Sequence, residues 1–103
     1  MQTAEVFLHS ALAGYLRELE YGRLYSFEYH PQYNGPPVSL TMPVRTETYM
    51  YEEFPPFFDG LLPEGAQLEA LLRHYKLDRN DKFGHLLRIG ADTVGAVTIR
   101  EAL

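Results

Sequence analysis

The hydrophobic pattern of this chain changes at Phe54-Pro55-Pro56-Phe57-Phe58-Asp59-Gly60-Leu61-Leu62-Pro63-Glu64. The apolar residues of this stretch recur at intervals of three and four, which places them on one face of an α-helix. Pro55 and Pro56 suit the first turn of a helix, because the amide donors there have no acceptor inside the helix. Pro63 cannot continue a helix. We therefore predict a helix over residues 54–62 and a break at residues 63–65.

Two more helices are predicted after this break. The second repeats the helical spacing at Leu68, Leu71, Leu72 and Tyr75. The third carries a buried stripe made of Phe83, Leu86 and Leu87. Asp78 or Asn80 is expected to cap its start. Gly90 is expected just beyond its last turn, in the left-handed conformation typical of that position.

Strands are predicted before and after the helical part. The residues before it favour strands at 5–9, 12–18, 24–29 and 38–44, and a last strand is expected over 95–100. Gly14 marks a bulge or a close approach of two backbones. Pro43 puts the fourth strand at a sheet edge or ends it. Strands, then helices, then a strand predict an α+β fold over residues 1–103: one domain with a largely antiparallel sheet and about three helices packed on one side.

Composition narrows the class of protein. The 103 residues suffice for one domain, and 46% hydrophobic residues argue against disorder. The net charge is -5 and the nine Lys and Arg are scattered, so direct nucleic-acid binding is not expected. The chain has no Cys, no signal peptide pattern and no apolar stretch near the roughly 18–20 residues that span a bilayer. We expect a cytoplasmic protein with no membrane association.

The sequence offers weak support for catalysis. It has no G-x-S-x-G, P-loop, D-F-G or H-R-D motif. The four His residues lack metal-ligand spacing, and no cofactor is expected. Asp59, Glu64 and Asp92 are candidates for general acid–base roles, but caps and turns are the more frequent use of such residues. An enzyme that uses Asp59 or a histidine is kept as a minor alternative.

The eight tyrosines invite two interpretations. Tyr25, Tyr29 and Tyr33 lie near the Asn34-Gly35 turn. Tyr49 and Tyr51 precede Phe54. For each tyrosine alone, packing in the core or sheet is the favoured interpretation. For the group, some contribution to a partner-binding surface is expected, because Tyr is enriched at interface hot spots.

Three blocks carry a resemblance to a known family. They are Ser39-Leu40-Thr41-Met42-Pro43-Val44, Phe57-Phe58-Asp59-Gly60-Leu61-Leu62-Pro63-Glu64 and Asp92-Thr93-Val94-Gly95-Ala96-Val97. In this order they resemble the N-terminal subdomain of HipA-type serine/threonine kinase toxins of bacteria, over essentially the whole chain. Because no kinase motif is present before Leu103, the chain is more similar to the HipS-type small antitoxins of split, three-gene HipBST systems.

The resemblance implies a binding function without catalysis. Such an antitoxin binds and neutralises a shortened HipT-like kinase, and a HipB-like DNA-binding protein completes a ternary complex. The alternative is an accessory subdomain that scaffolds or activates a split kinase. A wedge that displaces the aligned kinase groups by about 1 Å can lower the rate on the order of 100-fold. The candidate partner-binding residues are Asp59, Leu62, Pro63, Glu64, Gly65, Ala66, Gln67 and Leu68.

The same segment suggests how the wedge would work. Pro63 and Gly65 determine its turn, and Glu64, Ala66 and Gln67 are expected to point outward. The chain has no Trp, which is a frequent interface anchor. Either the wedge acts through backbone shape, or another surface inhibits the kinase.

Overall fold

Side chains that point alternately into the core and away from it form the first three strands of the sheet, within the first thirty residues. The computed structural model describes residues 2–92 and 95–102, with only the backbone of Asp92. Thr93 and Val94, which belong to the third resembling block, lie outside the described residues. In chain order the elements are β1 (Gln2–Leu8), β2 (Ala11–Glu20), β3 (Leu24–Tyr29), β4 (Tyr49–Tyr51), α1 (Pro56–Asp59), α2 (Gly65–Tyr75), α3 (Lys82–Ile89), a 3₁₀ turn (Gly90–Asp92) and β5 (Val97–Glu101).

The described strands form one antiparallel sheet in the order β4-β3-β2-β1-β5. In β1 every second side chain is buried, because successive strand residues point to opposite faces. Leu16 lies opposite both Ala4 and Phe27, so the buried positions of neighbouring strands share one face. The register of β1 and β2 shifts after Val6, next to Gly14. The bulge expected near Gly14 is therefore confirmed.

The buried face of the sheet carries α1 and α3, whereas α2 has no buried residue. Phe58 of α1 packs on Phe27 of β3 with 5.8 Å between ring centroids. Phe83 and Leu86 of α3 belong to the same core cluster. Burying side chains of this size stabilises a fold by roughly 1.5–3 kcal/mol each. The predicted α+β architecture with an antiparallel sheet and three helices is thus confirmed.

Helix α1 is shorter than the predicted helix over residues 54–62. It comprises only Pro56–Asp59, and the chain continues in two tighter turns, with Leu61 N donating to Phe58 O and Leu62 N to Asp59 O at 3.1 Å. The residue before a proline is disfavoured in the α conformation, so Pro63 limits the helix from ahead. The apolar face survives, since Leu61 and Leu62 still pack against the core.

Both ends of α3 differ from the prediction. Asp81 is the cap, since its Oδ1 accepts from Gly84 N at 3.1 Å. Asp78 instead accepts from Asn80 N at 2.8 Å in the preceding turn. Gly90 has φ -57 and is not left-handed. A glycine is required there because a Cβ would overlap the carbonyl oxygen of Ile99 and lie 2.7 Å from the Ile99 Cβ.

The strand predicted over residues 38–44 is wrong, because this segment is an irregular loop. The strand that pairs with the free side of β3 is the unpredicted β4. The Tyr29 hydroxyl accepts from Val38 N at 3.1 Å and donates to Met42 O. The Tyr49 hydroxyl donates to Pro43 O at 2.5 Å. Tyrosine hydroxyls thus replace the partner strand that would otherwise satisfy these backbone groups. This agrees with a packing role for the single tyrosines.

Tyr25 makes stability depend on alkaline pH. Burial, followed by the nearby Glu18 carboxylate and its hydrogen bond, raises the pKa of Tyr25 to about 12 from an ordinary 10.0. Above pH 10 the unfolded chain loses this proton while the folded chain keeps it. The free energy of unfolding is therefore expected to fall as pH rises from 10 towards 12, by on the order of 2 kcal/mol in total. Guanidinium unfolding at increasing pH measures the loss.

The Tyr25→Phe variant is the control for this prediction. It keeps the ring and removes the ionising group, so its stability should fall less steeply over the same pH range. An unchanged slope would mean that other tyrosines cause the alkaline loss.

Candidate partner-binding surface

The predicted wedge residues form the junction between α1 and α2. Leu62 and Pro63 are partly buried, and Leu62 packs against the core. The next four residues are exposed: Glu64, Gly65, Ala66 and Gln67. Leu68, also partly buried, lies on the second turn of α2. The junction therefore has an inner side tied to the core and an outer side open to a partner.

Gly65 allows the sharp entry into α2. Glu64 is extended, with φ -132 and ψ 164, and Gly65 has a positive φ of 59. Side chains rarely adopt this left-handed conformation, although a Cβ on Gly65 would meet no atom within 4 Å. The turn expected at Pro63 and Gly65 thus depends on the backbone of Gly65 and not on crowding around it.

Asp59 forms an ion pair with Lys82. Its Oδ1 lies 3.0 Å from Lys82 Nζ, and both side chains are about half exposed. This ion pair joins the end of α1 to the start of α3. Exposed pairs of this kind contribute about 0–1 kcal/mol, so Asp59 has a modest structural role here.

The acidic and histidine candidates do not assemble into a metal site within residues 2–92 and 95–102. No group of three or more His, Cys, Asp or Glu is placed to hold a metal ion in this part of the chain. Glu64 is exposed, and the side chain of Asp92 lies outside the described residues. His85 is buried and its Nε2 lies 2.8 Å from Asp78 O, which is a structural hydrogen bond.

Helix α2 leaves its apolar stripe only partly covered. It has no buried residue, although its sequence is amphipathic. We define the α2 stripe as Leu68, Leu71, Leu72 and Tyr75. The three leucines are partly buried, Tyr75 is 42% exposed, and none of the four belongs to the core cluster or packs against it. An isolated helix shorter than about 12–15 residues is marginal in water, and the 11 residues of α2 fall below that length.

Polar contacts attach α2 to its neighbours. Arg79 donates to both carboxylate oxygens of Glu69, at 2.8 and 2.6 Å. The Arg88 guanidinium lies 5.1 Å from the centroid of the Tyr75 ring. These contacts are on the surface, where ion pairs contribute little. A partner that covered the α2 stripe would therefore stabilise this helix.

The sequence alone did not identify three residues of this stripe as candidates for binding: Leu71, Leu72 and Tyr75. Their spacing predicted a helix with an apolar face, and such a face normally packs on its own core. Helix α2 nevertheless has no buried residue, and no pattern in the sequence reports this. Only the burial of each side chain in the folded domain distinguishes an apolar stripe that packs in the core from one that does not.

None of the helices in the described part of the chain is long and apolar enough to cross a membrane.

The chain matches one protein family over nearly all its length. The model of the HipA N-terminal domain matches residues 4–100. A protein of Haemophilus influenzae, described as uncharacterized, is 35% identical over 101 residues, which cover 98% of this chain and 93% of that protein. The putative kinase Y4mE of Sinorhizobium fredii is 32% identical over 83 residues, which cover 81% of this chain and only 20% of the kinase.

A solved structure supports the same assignment. The N-terminal domain of HipA toxin has a TM-score of 0.77 and 30% sequence identity, and the match covers 100% of this chain and 94% of that domain. The similarity is to the N-terminal domain of HipA and not to a kinase catalytic domain. The chain therefore belongs to the HipA N-terminal domain family.

Proposed function

We propose that this protein is a non-enzymatic antitoxin of the HipS type, which binds and inhibits a HipA-like (HipT) kinase toxin in the cytoplasm of a bacterium. The observation that carries the proposal is the partly covered stripe of α2 in a domain of the HipA N-terminal family. An amphipathic helix that buries none of its residues in its own domain has a surface suited to another protein. A HipB-like DNA-binding protein is the proposed third member of the complex, and this chain does not itself bind nucleic acid.

The kinase is the favoured partner because of what the longer relative contains. In the putative kinase Y4mE the segment similar to this chain makes up a fifth of the protein. A domain that is joined to a larger protein in one relative has a surface shaped for the rest of that protein. As a separate polypeptide, the same domain retains that surface for a partner in trans.

Inhibition is proposed to involve the α1–α2 junction. Its exposed residues, Glu64 to Gln67, project next to the α2 stripe, so a kinase held by the stripe would meet the junction. Phosphoryl transfer requires a Lys, a Glu and the Mg²⁺ ligands in fixed relative positions. A wedge that shifts one of them by about 1 Å lowers the rate on the order of 100-fold.

Co-expression with the adjacent HipA-like kinase tests the proposal. The chain is expected to restore growth to cells that express the kinase, to co-purify with it and to lower its autophosphorylation in vitro. The Leu72→Glu variant, which is expected to keep the fold and to lose the contact through the α2 stripe, is the matched control.

Two results would contradict antitoxin function. The first is the absence of both a complex and rescue. The second is a complex in which kinase activity rises, which would establish the accessory scaffold instead. An activity of the isolated chain that is lost in Asp59→Asn would support the acid–base alternative.

A further inference from the structure

A tight turn at residues 39–42 displays one large apolar side chain to solvent. Leu40 is 94% exposed, more than the other exposed large hydrophobic residues of the described chain. Met42 N donates to Ser39 O at 3.0 Å, which closes the turn around Leu40 and Thr41. The Ser39 hydroxyl also accepts from Thr41 N at 3.2 Å and lies 2.9 Å from the Thr41 hydroxyl. Three polar contacts among three residues thus define the shape of this turn.

The chain on either side of the turn is fastened to the core. Val38 is 6% exposed and Met42 is 2% exposed, and both belong to the core cluster. The hydroxyl of the buried Tyr29 binds the backbone of both residues, through Val38 N and Met42 O. With two fixed points only four residues apart, the turn cannot fold Leu40 back into the core. Its exposure is therefore built into the fold.

The loop that carries Leu40 contains no Asp, Glu, Lys or Arg. No Asp, Glu, Lys or Arg occurs between Glu28 and Arg45, although such residues make up 22% of the chain. Val44, on the same loop, is 41% exposed. Charged residues are depleted in the cores of protein interfaces, because their desolvation is costly. An uncharged loop with an apolar tip fits a site that becomes dry on binding.

We propose that Leu40 is an anchor that inserts into an apolar, uncharged socket on the kinase chain, as a second contact separate from the α2 stripe. The inference rests on the proposed function, because the kinase is the one partner proposed to provide this socket. A side chain already held in its binding position loses little conformational freedom on association, so a single leucine on this turn has a larger effect than one on a mobile loop.

The test is the affinity of the purified chain for the kinase, measured by calorimetry or biolayer interferometry. Leu40→Ala is expected to weaken binding about tenfold, and Leu40→Asp about 100-fold, because the charge would be desolvated in the socket. Neither substitution should change the melting temperature, since Leu40 makes no core contact. Tyr21→Ala is the matched control: Tyr21 is 63% exposed on the β2–β3 turn, and its removal should leave the affinity unchanged.

The outcomes separate this inference from the proposed function. If the unmodified chain does not bind the kinase, the proposed function fails and the inference fails with it. If the unmodified chain binds and the Leu40 variants bind equally well, the inference alone is overturned. Sedimentation of the chain without kinase tests whether Leu40 binds a second copy of the chain instead. Self-association that is lost in Leu40→Asp would assign the anchor to that second copy and contradict the kinase socket.

Discussion

The Leu72→Glu variant is expected to lose its affinity for the kinase by about 100-fold or more while it keeps its fold. Leu72 lies in the middle of the α2 stripe, where a partner would desolvate it. A carboxylate buried there without a partner costs on the order of 3–5 kcal/mol, which exceeds that factor. In the free protein Leu72 lines an open surface cleft with Glu69, Arg73 and Arg79, so the new carboxylate stays solvated.

Ala70→Glu is the matched control on the same helix. Ala70 is exposed and lies about 160–200° around the helix from Leu68 and Leu72, on the opposite side from the stripe. It receives the same charge with a similar change in helix propensity, and its affinity should match that of the unmodified chain. Circular dichroism and thermal melting check that both variants fold. Equal affinities for the two variants would show that the stripe does not face the kinase.

The Gly90→Ala variant is expected to lower the free energy of unfolding by about 2–3 kcal/mol. The added methyl would overlap the Ile99 carbonyl and press on the Ile99 side chain, so α3 and β5 must move apart. Ile99 and Leu86 belong to the same core cluster, so moving β5 away from α3 disturbs the packing of that cluster. For a domain of this size the loss corresponds to a melting temperature about 10 °C lower.

Gly60→Ala serves as the comparison for a harmless glycine substitution. Gly60 has φ -66 at the end of α1, and a Cβ there would lie 3.4 Å from Phe57 O, which is ordinary contact. Its stability should be unchanged or rise by about 0.5 kcal/mol, because alanine restricts the unfolded chain. A Gly90→Ala variant as stable as Gly60→Ala would mean that α3 and β5 are not packed as closely as the structure places them.

Patterns confined to neighbouring residues were predicted well. Strand β3 runs over Leu24–Tyr29, as the alternation of Tyr25, Phe27 and Tyr29 predicted. The helix at 65–75 and the close approach at Gly14 were also recognisable. These features depend on side-chain period or on a missing Cβ, and both can be recognised in a single segment.

Features that depend on distant partners were missed. The loop at residues 38–44 has strand-like composition, but Tyr29 and Tyr49 bind its backbone in place of a neighbouring strand. The N-cap of α3 is Asp81, and three acidic or amide residues within four positions made the choice ambiguous. Strand β4 has only three residues, too few for an alternating pattern to identify it.

By itself, the sequence determined the class of fold and the family, because periodicity and short motifs are properties of the chain before it folds. Only the tertiary structure decided which apolar residues remain at the surface. Nothing in the sequence distinguishes Leu40 and Leu72 from the leucines of the core. What separates them is whether another part of the chain covers them, and that depends on the packing of the whole domain.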